Sequence, residues 1–299
     1  LRGTKIVLDC GNGAGYIAAP KLLKNLGAKV ISIGVKPNGF NINDRCGSTH
    51  PSKIQLAVKK YKAHAGISFD GDADRIIMCD ENGKIIDGDQ ILGLLALELK
   101  EKKMLTNNEV VGTLMTNVGL ENKLRENSID LVRAPVGDRY VKEEMLKKDL
   151  NLGGEQSGHI ILKDYTSSGD GIIVALQILS ILKEKGIKAS KGLNIFQPVP
   201  QKLMNFKVNS QDVLDKEDTK KFLSDCNNQI QEQGRIIARM SGTEPYLRVM
   251  IECNEQNKLN ELSDSINHHF SKFWLDIFRK SSKKKFQVGL QPDPKFFLR

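Results

Sequence analysis

The sequence predicts an α/β protein made of two successive mixed α/β units followed by a smaller α+β unit. Three observations carry that expectation. Short apolar strand candidates alternate with helix-period segments over the first 185 residues or so. Pro198-Val199-Pro200 interrupts the pattern and reads as a linker. Beyond it the order changes to strand, helix, strand, strand, helix.

Residues 5–9 are the first strand candidate and end in Cys10-Gly11-Asn12-Gly13-Ala14-Gly15. A helix follows, with Ile17, Leu22, Leu23 and Leu26 at helical spacing and Gly27 as its stop. Residues 29–34 form the next strand, and Ile54, Ala57, Val58 and Tyr61 mark a helix after Pro51. Strands at 65–69 and 76–80 flank a carboxylate-rich loop, and 90–102 is a helix. Strands at 110–115 and 131–134 alternate with helices near 119–126 and 139–147. A strand at 159–162 precedes a long amphipathic helix over 170–185. This βαβ rhythm predicts parallel, helix-covered sheets. The last unit reads as a strand at 203–208, a helix at 219–232, strands at 235–239 and 247–252, and a helix at 258–274. The expected domains are therefore 1–102, 103–198 and 199–275, with a basic tail over 276–299.

The bulk numbers agree with several folded domains. The chain has 299 residues, against roughly 100–200 per domain. Hydrophobic residues make up 39% and charged residues 27%, which excludes global disorder. No apolar run nears the roughly 18 residues that cross a bilayer. The start, Leu1-Arg2-Gly3-Thr4-Lys5, does not read as a signal peptide and has no initiator Met, which points to a chain cut from something longer. Five scattered cysteines, with no Cys-x-x-Cys pair, argue against a zinc site or a disulfide framework and suit a reducing cytoplasm. The net charge of +9 invites a nucleic-acid reading, but residues 279–299 alone hold seven Lys/Arg against one Asp. No aromatic residues interleave with basic ones to stack bases, so the tail reads as a solvated end.

The sharpest chemical feature is Asp70-Gly71-Asp72-Ala73-Asp74-Arg75. Three carboxylates at every second position can converge from one tight loop, and small residues between them permit the bend. Such carboxylates repel unless a cation sits among them. An all-oxygen set points to Mg²⁺, Mn²⁺ or Ca²⁺. A calcium loop of the EF-hand kind is disfavoured, because Arg75 stands where that loop needs its sixth-position Gly and the flanks are strands.

Three further loops add polar groups. Arg239-Met240-Ser241-Gly242-Thr243-Glu244-Pro245 offers backbone N–H groups and a guanidinium suited to phosphate, although an ordinary turn between strands reads equally well. Gly153-Gly154-Glu155-Gln156-Ser157-Gly158-His159 packs sugar-binding groups into a Gly-rich loop, and His159 can exchange protons near neutral pH. Alone, His159 would read as a structural histidine. Ser167-Ser168-Gly169-Asp170-Gly171 reads as a helix cap, and Val136-Gly137-Asp138-Arg139-Tyr140 opens a helix with an Arg that can reach a phosphate.

In this order the loops resemble the α-D-phosphohexomutase family, from about residue 1 to residue 274. Lys36-Pro37-Asn38-Gly39-Phe40-Asn41-Ile42-Asn43 and Cys46-Gly47-Ser48 are similar to the glucosamine-acting branch. The resemblance implies an isomerase that interconverts glucosamine 6-phosphate and glucosamine 1-phosphate through a phosphoserine and a bisphosphate intermediate. It implies Mg²⁺ on Asp70, Asp72 and Asp74, with Arg75 beside the reacting phosphoryl group. Glu155 and Ser157 would hold sugar hydroxyls, with His159 as a proton shuttle. Arg239, Ser241, Gly242 and Thr243 would grip the other phosphate. Nothing in this chain matches the family's serine loop, and Ser48 belongs to the second-domain pattern, so these residues are expected to be inactive alone. The implied partner is a phosphorylated hexosamine, with no nucleic acid and no membrane. The alternatives are a phosphomannomutase or phosphoglucomutase, a non-catalytic module binding Mg²⁺ and phosphosugar, and nucleic-acid binding through the tail.

Overall fold

The computed structural model describes residues 1–208, 211–230, 233–241 and 245–287. The chain divides into two units, Leu1–Pro198 and Val199–Arg299. Mixed α/β sheets build the first.

Its first sheet has five strands in the order β2-β1-β3-β4-β5. Strand β1 (Lys5–Asp9) runs parallel to β2 (Lys29–Ile33) and to β3 (Ala65–Phe69). Helices α1 (Ala18–Asn25) and α2 (Ser52–Tyr61) make those crossovers. Strands β4 (Ile76–Asp80) and β5 (Ile85–Ile86) then run antiparallel. The second sheet has four strands in the order β7-β6-β8-β9. Strands β6 (Glu109–Thr113), β7 (Asp130–Ala134) and β8 (Leu152–Gly154) are parallel, and β9 (Ile160–Leu162) is antiparallel to β8.

The mixed α/β class holds, and the parallel rhythm is broken at β4, β5 and β9. Residues 70–75 join β3 to β4 and residues 155–159 join β8 to β9. A parallel return needs a crossover of about a dozen residues or more, so these short loops force reversal. They are the carboxylate-rich loop and the end of the Gly-rich loop that carry the polar groups. Strand β8 escaped the periodicity because Gly153 and Gly154 hide it. Gly153 is required by packing: a Cβ there would lie 2.6 Å from the Met145 sulfur.

Helices α3 (Gly88–Glu101), α4 (Val118–Glu126), α5 (Asp138–Lys147), α6 (Gly171–Glu184) and α7 (Ala189–Gly192) complete this unit. α3 packs on β8 and on α6, while α6 packs on β4 and β9. The two helices therefore serve both sheets, and one apolar cluster runs from Ile6 and Ile67 through Ile91 and Ile178 to Leu152 and Ile160.

The second unit has an antiparallel sheet in the order β10-β12-β11, from β10 (Gln201–Lys207), β11 (Gly234–Met240) and β12 (Tyr246–Cys253). Leu247, Val249, Ile251 and Cys253 alternate along β12 and pack with Ile230 of α8 (Glu217–Ile230) and with Leu262 and Ile266 of α9 (Gln256–Gln287). Helix α9 runs past its expected end at residue 274. Residues 288–299 of the basic tail lie outside the described residues. No helix among the described residues is long and apolar enough to cross a membrane.

Candidate active site

Residues 70–75 turn between β3 and β4 with Ala73 in the left-handed region at φ 63°. That conformation is costly for a residue with a Cβ and persists only where neighbours hold it. Two neighbours do. Gly71 O accepts from Ala14 N at 2.7 Å, and Ala73 O accepts from Gly171 N at 2.9 Å. A Cβ on Gly13 would sit 2.2 Å from Gly71 O, so the Cys10–Gly15 run is a brace laid over the acidic loop. Buried Asp9 fixes that brace, accepting from Gly11 N and Gly47 N at 3.0 Å each. Ser48 N donates to Phe69 O, so the Cys46-Gly47-Ser48 segment supports the same strand end.

One ligand atom each from Asp70, Asp72 and Asp74 lies within 4.8 Å of the others. Asp70 is buried, and burial raises its pKa to about 6, with the charges of Asp74 and Asp72 adding to the rise. Arg75 N donates to Asp70 Oδ1 at 3.1 Å and works the other way. The Arg75 Nε lies 3.8 Å from Asp70 Oδ2 and 3.9 Å from Asp74 Oδ1. His159 Nδ1 is 3.0 Å from Asp74 Oδ2, whereas Asp74 Oδ1 is buried with no hydrogen-bond donor. Three carboxylates, with one buried oxygen lacking a donor, fit a hard divalent cation.

The Gly-rich loop is sewn to the acidic loop. Ile76 N donates to Gly158 O at 3.0 Å, and Arg75 and His159 form a bridge between the sheets. Gly158 has φ 95°, and a Cβ there would meet Ile76 O at 2.1 Å. The His159 ring lies over Gly169, where a Cβ would come within 2.5 Å of Cε1 and Nε2. Asp170 caps α6 as expected, accepting from Ile172 N at 2.8 Å and Ile173 N at 3.0 Å. Glu155 Oε1 accepts from Gly137 N at 3.0 Å, and Ser157 Oγ donates to Oε2 at 3.4 Å. Glu155 thus also holds the turn that opens α5. Arg139 on that turn is exposed and pairs with Glu143 at 2.7 Å.

In the second unit, Arg239 is the next-to-last residue of β11, and Ser241 is buried with its N–H donating to Tyr246 O at 2.8 Å. Gly242 and Thr243 lie outside the described residues. Reading the sequence missed Arg248. The β11–β12 register sets it directly opposite Arg239, so two guanidinium side chains leave neighbouring positions on one sheet face. Counting an antiparallel register between the two strand candidates was the signal that could have found it. The structure therefore brings Asp70, Asp72, Asp74, Arg75 and His159 together, with Glu155 and Ser157 on the adjoining loop.

Three family models match the chain. They are phosphoglucomutase/phosphomannomutase alpha/beta/alpha domain II over residues 1–83, alpha/beta/alpha domain III over 87–199, and the C-terminal domain over 203–269. The phosphoglucosamine mutase of Pelagibacter ubique is 57% identical over 254 residues, covering 85% of this chain and 57% of that protein. That of Granulibacter bethesdensis is 45% identical over 290 residues, covering 97% and 62%. The chain thus spans about three-fifths of these relatives' length. Among solved structures, a phosphoglucomutase/phosphomannomutase family protein from Burkholderia thailandensis superposes with a TM-score of 0.73 at 23% identity, covering 89% of this chain and 59% of that one. An Aspergillus fumigatus N-acetylphosphoglucosamine mutase, solved with GlcNAc-6P and magnesium, gives 0.71 at 19% identity, covering 89% and 61%.

Proposed function

The chain belongs to the phosphoglucomutase/phosphomannomutase family, and from that premise we propose that it carries the metal-, sugar- and phosphate-binding parts of a phosphoglucosamine mutase. The reaction is the interconversion of glucosamine 6-phosphate and glucosamine 1-phosphate through a phosphoserine and a bisphosphate intermediate. The observation that carries this reading is the Asp70, Asp72, Asp74 cluster with one buried, undonated oxygen. Phosphoryl transfer depends mainly on positioning and on neutralising charge, and that is the chemistry such a cluster prepares.

We assign Asp70, Asp72 and Asp74 to a Mg²⁺ ion, which when bound neutralises charge on the phosphoryl oxygens. Arg75, braced between two carboxylates, faces the reacting phosphoryl group. His159 donates from Nδ1 to Asp74 and so orients it; proton exchange with the sugar falls to Nε2. Glu155 and Ser157 bind sugar hydroxyls. Arg239 and Ser241, with Gly242 and Thr243, grip the non-reacting phosphate, and the register adds Arg248 to them. The domains follow as 1–102 for the metal, 103–198 for the sugar and 199–275 for the phosphate. The buried, unpaired cysteines support a cytoplasmic setting.

The phosphoserine is proposed to come from chain outside these 299 residues. Calorimetry of the chain with glucosamine 6-phosphate should show binding that strengthens with Mg²⁺ and weakens in Asp72→Asn, with no turnover in a coupled assay. Turnover by residues 1–299 alone, or tighter binding of glucose or mannose 6-phosphate, would overturn this assignment.

A further inference from the structure

A cleft of about 900 Å³ opens at the end of the first sheet where β1 and β3 begin, away from the loop that follows β3. Its volume lies in the range of small-molecule pockets, roughly 300–1,000 Å³. Leu179 and Leu182 of α6, with Ile187 and Ala63, give it an apolar lining. Lys59, Lys62, Lys183 and Lys188 surround that lining, all of them exposed. Glu81 is the one carboxylate in the lining; it accepts from Ser190 N at 2.9 Å and from Ser190 Oγ, and its charge also attracts Lys188. His64 accepts from Lys5 N through Nδ1 at 2.8 Å, which leaves its Nε2 as a donor in the neutral ring.

Helix ends explain part of this charge. Lys59 and Lys183 sit in the last turns of α2 and α6, where a cation complements the helix dipole. Lys62 lies beyond the end of α2, in the left-handed region at φ 48°, and Lys188 precedes the first turn of α7. Lys62, as the C-cap of α2, shares that stabilisation, whereas Lys188, at the N-terminal end of α7, does not. Four cations against one carboxylate, around an apolar lining, match a ligand with an anionic end and an apolar body.

We infer that this cleft is a second small-molecule site, separate from the metal loop, for a phosphate ester that carries an apolar group. The phosphates meet Lys62 and Lys188, and the apolar group lies against Leu179 and Leu182. Asp70, Asp72 and Asp74 contribute nothing to it. Helix α6 reaches from this cleft to the metal loop, whose backbone its first residue holds.

The test is fluorescence titration of the full chain with trinitrophenyl-ADP, at fixed salt. Saturable binding is expected. A Lys62→Glu, Lys188→Glu double variant should bind at least tenfold more weakly, with an unchanged circular dichroism spectrum. The Asp72→Asn variant should bind as the parent does. Unlabelled ADP should displace the probe better than adenosine or pyrophosphate does. No saturable signal overturns the inference, as does equal affinity in the charge-reversed chain. Loss of binding in Asp72→Asn places the probe at the metal loop and overturns it too. Displacement by pyrophosphate as strong as by ADP removes the apolar half of the recognition and overturns the ligand class.

Discussion

The two carboxylate oxygens of Asp74 have different fates, and that difference organises the residue scale. One accepts from a buried imidazole; the other is buried without a donor. Removing the imidazole should free the carboxylate to rotate. His159→Ala is therefore expected to raise the Mn²⁺ dissociation constant about tenfold, within the span seen for groups that orient metal ligands. Calorimetry checks it, and unchanged affinity would remove His159 from that role. Asp70 gives a pH dependence. Its pKa is raised to about 6, chiefly by burial, so the folded chain favours the protonated acid. Ionisation between the unfolded value near 4 and about 6 therefore destabilises the metal-free chain as pH rises. Metal binding needs the carboxylate and strengthens over the same window. Without metal, melting should occur at a higher temperature at pH 5 than at pH 7 by more in the parent than in Asp70→Asn. Added Mg²⁺ should narrow that gap.

At the scale of elements, the two reversing loops and α6 hold the site. Gly158→Ala places a Cβ against the Ile76 carbonyl at a backbone angle that L residues rarely adopt. It is expected to cost roughly 3 kcal/mol by denaturant titration, because backbone cannot move aside as a side chain can. Ile178, fully buried on α6, should cost about 2–5 kcal/mol as Ile178→Ala. The helix-period and alternating patterns made most elements legible. They missed β8, whose glycines carry no pattern, and the antiparallel direction of β4 and β9. Both follow from packing: Gly153 makes room for Met145, and the short loops exclude a crossover. The acidic loop was legible because its carboxylates are adjacent in sequence. Arg248 was not, because its relation to Arg239 exists only through register.

For the whole molecule, the charge of +9 is carried largely by the tail, so the folded units are only mildly basic. All five cysteines are buried, and burial raises the thiols of Cys10 and Cys79 to about 12. Thiolate is the reactive form, so a disulfide reagent should label none of them in the native chain and all five after denaturation. Rapid native labelling would contradict the described core. Sequence alone determined the alternation of elements and the chemistry of each loop, since both are written in windows of a few residues. It also determined the family, because several such loops stand in one order. Only tertiary structure decided that Asp74 meets His159, 85 residues away, that Gly169 lies beneath that ring, and that Asp74 Oδ1 is buried without a donor. Those facts depend on α3 and α6 packing two sheets against a common core, and no local pattern specifies where distant loops will converge.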